Sequence, residues 1–434
     1  MTDYSTPELA TAAEAEAAAA RLEQVFFEIK KVIVGQDHMV ERLLVALLAR
    51  GHILLEGLPG LAKTLAVSTM AESIGGSFVR LQFTPDLLPS DLVGTRVYRQ
   101  SDETFDIEWG PVFANLVLTD EINRAPAKVQ SALLEVMAER QVSIGGETRS
   151  MPSPFLVLAT QNPIESEGVY TLPEAQRDRF LMKVIVGYPT PTEEFEIVRR
   201  VGVSMPHSNQ VITLDELAGL QRTADQVYVD SAIVQYAVDI VMATREPEVR
   251  GMPELASLIE FGVSPRATLG LVSAGRALAL MRGRSYVTPQ DIFDVARDVL
   301  RHRLILTYEA LAKNLSSDDV LNRLLAVVPA ANVTAREVPA ERSRVPEPAA
   351  WDGTLGSTPS SFRSPSPAPG PVPTPPPAPA PAPNPVHAPA PEPAPTGGYS
   401  SVFDTPSTND APPDPGTRAP LPPPMSDPKG LFGE

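Results

Sequence analysis

The sequence predicts an α/β protein: helices cover a parallel sheet, a small helical domain follows, and a disordered Pro-rich tail ends the chain. Three observations carry this reading. Short apolar runs alternate with helical stretches up to about residue 188, and the pattern then turns almost wholly helical to about residue 325. From about residue 335, repeats such as PVPTPPPAPAPAPNP take over. Strands alternating with helices point to a parallel sheet with helical crossovers.

Taken in order, residues 1–19 form a flexible or helical start, and the Ala- and Glu-rich stretch 8–31 reads as a helix. A second helix covers Gln36–Arg50, with Val40, Leu43, Leu44, Leu47 and Leu48 at helical spacing. HILLEG then makes a short strand, and further strands fall at 78–83, 115–121, 155–160 and 180–186. Two stretches break the alternation. Residues 96–109 and 141–151 read as β-hairpins, the second turning at Gly145-Gly146. Beyond Pro189, helices are expected at 192–202, 214–224, 231–244, 265–282 and 288–302. The domains are thus 20–188 and 189–325. The tail, 335–434, buries too little apolar surface to offset chain entropy and is expected to be disordered with polyproline II character.

The 434 residues include 36 Lys/Arg against 53 Asp/Glu, a formal charge of −17. The tail beyond residue 332 holds six of the basic and ten of the acidic residues, so the acidity lies mainly in the folded part. That balance disfavours nucleic acid as a partner. With no cysteine, disulfides, thiolate nucleophiles and Cys-type zinc sites are excluded. No basic start precedes an apolar run, and no apolar stretch reaches the ~18 residues of a membrane span. A cytoplasmic protein without membrane insertion is the expectation.

Five short segments carry chemistry. GLPGLAKT, residues 57–64, sits between a strand and a helix and has the spacing of a phosphate loop. Gly57, Leu58, Pro59, Gly60, Leu61, Ala62, Lys63, Thr64 and the following Leu65 would wrap the phosphates of ATP, with backbone N–H groups and a helix N-terminus facing them. Lys63 would reach the β- and γ-phosphates and Thr64 would ligate Mg2+. Ala62 stands where Gly is expected; at positive φ it costs about 1 kcal/mol, and in a helical conformation nothing. LVLTDE, 116–121, ends a strand in two carboxylates, which strand alternation sends in different directions. Asp120 and Glu121 can therefore divide the work, one on the metal and one on the attacking water. In ATQNP, Asn162 comes to the sheet's C-terminal edge, although Asn-Pro is also a common turn. LPEAQRDRF, 172–180, brings Arg177 and Arg179, either of which could act in trans on a transferring phosphoryl group. In GVSPRA, Ser264 suits an N-cap and Pro265 the first helical position. Arg266 then faces a helix dipole that an anion would satisfy.

In this order the segments resemble AAA+ ATPases, and FTPDLLPSDLVGT (83–95), residues 110–146, ATQNP, LPEAQRDRF and GVSPRA narrow the resemblance to the MoxR family over about residues 20–325. The resemblance implies Lys63 and Thr64 as the Walker A pair, Asp120 and Glu121 as Walker B, and Asn162 as sensor 1. It further implies Arg179 as arginine finger, Arg266 as sensor 2, and Val34, Gly35 and Gln36 as the adenine-side segment. It makes 96–109 the helix-2 insert and 141–151 the pre-sensor hairpin. A homo-oligomeric ring is implied, most often a hexamer, acting as a chaperone-like motor on protein clients, some with von Willebrand A domains. A metal-chelatase motor is the alternative within this clade. A transcriptional activator would carry GAFTGA, which is absent, and an inactive scaffold conflicts with the intact catalytic set.

Overall fold

A computed structural model describes residues 9–164, 170–201 and 206–331. The Pro-rich tail expected at 335–434 lies outside the described residues. The chain begins with α1 (Ala12–Val32), closed at its N-terminus by a capping box between Thr11 and Glu14. Ala15, Ala18, Leu22, Val25 and Ile29 make its buried stripe. α2 (Asp37–Leu48) follows, then β1 (Ile53–Glu56), α3 (Lys63–Ser73) and β2 (Phe78–Gln82). A short α4 (Pro89–Val93) leads into a hairpin of β3 (Gly94–Arg99) and β4 (Thr104–Trp109). After it come β5 (Leu116–Asp120), α5 (Ala127–Glu139) and a second hairpin, β6 (Gln141–Ile144) and β7 (Glu147–Ser150). β8 (Leu156–Gln161), the one-turn α6 (Glu174–Arg177) and β9 (Met182–Ile185) complete this half.

The five central strands lie in the order β2-β5-β8-β1-β9, and every pairing is parallel. Helices cover both faces, so the inner strands are apolar on both sides. Ile53, Leu55, Leu116, Leu118, Leu156 and Leu158 pack on one face with α1, α2 and α3. Leu54, Val117, Val157 and Ala159 pack on the other, against α5 residues such as Val129 and Leu133. The C-terminal ends of β1, β2, β5 and β8 therefore open at one edge.

The second half contains α7 (Pro191–Val201), α8 (Leu214–Gln226), α9 (Ser231–Arg245), α10 (Pro253–Ala256), β10 (Ile259–Phe261), α11 (Pro265–Met281), α12 (Pro289–Leu300), β11 (Ile305–Leu306), α13 (Tyr308–Ala312) and α14 (Ser317–Val327). The helical expectation missed the antiparallel β10–β11 ribbon. Two or three residues are too few to show a period, and the pairing spans more than forty residues of chain. Charges tie this half to the sheet. Buried Asp298 of α12 accepts from Arg42 of α2 at 2.6 Å. Arg303, just beyond α12, donates to Asp178 at 2.8 Å and to the carbonyl of Phe180 at 2.6 Å.

Candidate nucleotide site

β1 ends at Glu56, and Gly57 turns the chain beneath the sheet edge. Its N–H donates to the Gln161 carbonyl at 3.2 Å, and a Cβ here would stand 2.6 Å from the Val186 carbonyl oxygen. Only glycine fits that approach. Gly60 takes φ +82°, and Ala62 takes φ +58° and ψ 18° as the residue before α3. Ala62 thus meets the strained of the two alternatives, left-handed backbone at about 1 kcal/mol. Lys63 and Thr64 start α3. The Lys63 ammonium donates to the Gly57 carbonyl. Burial pushes its pKa down, while Asp120, Glu121 and Glu56 pull the other way.

The loop forms one wall of a cleft of about 350 Å³. The rest is built by Arg80, Gln82, Asp120, Glu121, Thr160 and Asn162. Asp120 ends β5; its Oδ1 accepts from the Thr160 hydroxyl at 3.1 Å and its Oδ2 from Arg80 Nε at 2.6 Å. Glu121 lies outside the strand, at φ +57°, ahead of a 3-10 turn over Ile122–Arg124. Its carboxylate accepts from Gln82 at 2.9 Å and pairs with Arg124 at 2.9 Å. Glu121 thus leaves the strand by a left-handed turn, so strand alternation does not govern its side chain, and both carboxylates line the same cleft. Thr160 braces both, since its Oγ1 also accepts from the Glu121 N–H at 2.9 Å.

Asn162 follows β8, is buried, and lines the cleft; its Oδ1 accepts from the Ile164 N–H at 3.3 Å. It also borders a second cleft of about 520 Å³, shared with Glu56, Lys183 and Arg177. Arg177, half-buried on α6, therefore belongs to this chain's own sheet edge. Arg179 is exposed, donates to the Leu134 carbonyl at 2.7 Å, and lines neither cleft.

Arg266, with its neighbour Ser264, and the segment Val34, Gly35 and Gln36 are not among the residues that line the cleft. Arg266 sits at the start of α11 and reaches Asp178 at 3.4 Å, so a carboxylate of this chain meets the anion requirement. Ser264 occupies the N-cap position without making the cap bond. Its hydroxyl donates to Asp178 at 3.0 Å instead, which corrects the expected cap. Val34, Gly35 and Gln36 join α1 to α2, with Gly35 at φ +65° and Gln36 at φ +56°. The Gln36 amide donates to the Gly187 carbonyl at 2.9 Å.

Arg80, Gln82 and Thr160 were not read from the sequence as site residues. In Phe78–Gln82 the polar Arg80 and Gln82 sit two apart among apolar neighbours. That pattern marks a common face, but only the β2–β5 pairing shows what the face meets.

Comparison with known proteins agrees with the fold. Residues 52–182 match the ATPase family associated with various cellular activities (AAA), and residues 255–324 match the AAA lid domain. The chain is 60% identical over 325 residues to Chaperone MoxR1 of Mycobacterium tuberculosis, covering 75% of this chain and 86% of that one. It is 33% identical over 336 residues to Protein MoxR of Methylorubrum extorquens, covering 72% and 95%. A crystal structure of a proposed ATPase from Cytophaga hutchinsonii superposes with a TM-score of 0.69 at 44% identity, covering 73% of this chain and 97% of the other.

Proposed function

The chain belongs to the MoxR family of AAA+ ATPases, and from that premise we propose that it binds MgATP in the 350 Å³ cleft and hydrolyses it to drive remodelling or maturation of partner proteins. One observation carries the reading. The loop after β1, the carboxylates after β5 and the amide after β8 converge on a single cleft at the C-terminal edge of the sheet.

The work divides by chemistry. Backbone N–H groups at the start of α3, with its dipole, face the phosphates, and Lys63 adds a full charge there. The Thr64 hydroxyl and the Asp120 carboxylate take the metal side. Among the described residues no group of three or more His, Cys, Asp or Glu forms a metal cage. That donor set suits Mg2+ carried by the nucleotide, since this ion keeps phosphate and water oxygens and needs few protein ligands. Glu121, held by Gln82 and Arg124 where Asp120 is held by Arg80 and Thr160, polarises the attacking water, and Asn162 orients the water or the γ-phosphate.

Residues 20–188 serve as the nucleotide-binding domain and 189–325 as the lid. Arg179, exposed and outside its own cleft, serves a neighbouring subunit of a homo-oligomeric ring, of six subunits by kinship. Arg177, beside Asn162, stays in cis. Arg266 becomes a phosphate contact only by leaving Asp178. A relative named as a chaperone supports protein clients. Among the described residues no helix is long and apolar enough to cross a membrane, and we place the protein in the cytoplasm.

Two substitutions test the division. Lys63→Ala is expected to abolish nucleotide binding. Glu121→Gln should keep ATP bound and lower turnover on the order of 10²-fold or more. Equal loss of binding in both variants would refute the assignment of roles.

A further inference from the structure

Resting on the assignment of Asp120 to the metal side, we propose that Arg80 is the resident countercharge of Asp120, a positioning residue that sets how strongly nucleotide binding depends on Mg2+. β2 is an edge strand paired in register with β5, Arg80 opposite Leu118 and Gln82 opposite Asp120. Residues two apart on a strand share a face. Arg80 and Gln82 therefore reach the two carboxylates side by side, Arg80 to Asp120 at 2.6 Å and Gln82 to Glu121 at 2.9 Å.

Charge and burial explain the arrangement. The Asp120 side chain is only 11% exposed; among the described residues its other oxygen accepts from the neutral Thr160 hydroxyl, and the Lys63 ammonium is near enough to feel its charge without pairing with it in a hydrogen bond. A buried carboxylate without a paired cation is strongly disfavoured. The Arg80 side chain is 54% exposed, so its guanidinium enters from solvent and can return there. Nε occupies Oδ2, one of the two oxygens open to a hydrated metal ion, and a guanidinium beside a divalent cation is repelled. Arg80 and Mg2+ are thus alternative partners of one carboxylate. When metal is absent, Arg80 keeps Asp120 from repelling the phosphates. When metal-bound nucleotide arrives, Arg80 gives way.

The test is the affinity of the full chain for a non-hydrolysable ATP analogue, measured in excess Mg2+ and in EDTA. Arg80→Gln retains a hydrogen-bond donor and loses the charge. It is expected to weaken binding in EDTA on the order of 10-fold and to leave binding in Mg2+ within about 3-fold. The Mg2+ dependence therefore steepens. Arg80→Lys should restore most of the difference, and in an Asp120→Asn background the effect of Arg80→Gln should vanish. Equal weakening in both conditions would reduce Arg80 to a structural residue. An undiminished effect in the Asp120→Asn background would mean that it meets the phosphates directly. Either result overturns the proposal. Asp120→Asn alone separates the two levels: if its own Mg2+ dependence equals that of the unmodified protein, the metal-side assignment fails first.

Discussion

Two small residues of the loop between β1 and α3 face opposite demands. Gly57 stands where a Cβ would lie 2.6 Å from a backbone oxygen, and backbone cannot swing aside as a side-chain tip can. Gly57→Ala is expected to shift the loop against β9, destabilise the fold by roughly 1–3 kcal/mol and weaken nucleotide binding. Ala62 already bears the strain of φ +58°. Ala62→Gly relieves about 1 kcal/mol of it and gives back a similar amount in unfolded-chain entropy. Thermal melts with a nucleotide titration decide: loss at 57 with near-neutrality at 62 is expected. Sequence spacing located both residues because the loop is local. It left the conformation of Ala62 open, since φ depends on how β1 and α3 are held.

At the scale of elements, α2 and α12 are joined by a buried charge cluster. Asp298 is met by Arg42 at 2.6 Å, His38 at 3.1 Å and Arg301 at 3.3 Å. Removing Asp298 leaves Arg42 with Glu41 and Arg301 with Asp318, but it strips the buried Nε of Arg42 of its partner. Asp298→Ala is therefore expected to cost about 3–5 kcal/mol, readable as a lowered denaturation midpoint. No local pattern announces this contact. Arg42 reads as one polar position on an amphipathic helix, and its partner lies 256 residues away. The hairpins and the parallel strands were legible for the contrary reason. Their alternation of apolar and polar residues, or continuous apolarity, records a burial that each strand must satisfy.

For the molecule as a whole, two buried imidazoles make stability depend on pH. His52 accepts from the Val157 N–H at 2.9 Å through Nδ1 and faces the Met137 carbonyl at 3.2 Å through Nε2, so it is held neutral. Burial pushes its pKa down to about 4, and burial also sets His302 well below 6.5. Above pH ~6.5 neither folded nor unfolded chain protonates these rings, and stability is full. As pH falls from ~6.5 towards 4, the unfolded chain gains protons that the folded one refuses, and stability declines. The loss expected from His52 alone is on the order of 3 kcal/mol. His52→Asn should lower stability at pH 7.5 and flatten the decline; melts across this window measure both. The proposed ring gives a second test. Arg179→Ala and Lys63→Ala subunits should each lack activity, and mixing them should restore part of it where a sound loop meets a sound arginine. Mixed rings that form yet stay inactive would end the idea of a finger acting in trans.

The sequence by itself determined the strand-loop-helix segment from β1 to α3, the adjacent acidic residues at the end of β5 and the parallel α/β core. Each depends on residues adjacent in the chain or on a burial period. Tertiary structure alone decided that β2 lies beside β5, which sets Arg80 and Gln82 against Asp120 and Glu121. It also decided that Thr160 braces both acids, that Asp178 holds Arg266, and that residues 259–261 form a strand with 305–306. These contacts join positions roughly 40 to 90 residues apart, as the strand order and the docking of the helical half bring them together. Spacing along the chain records neither, because both are settled by which buried surfaces fit one another.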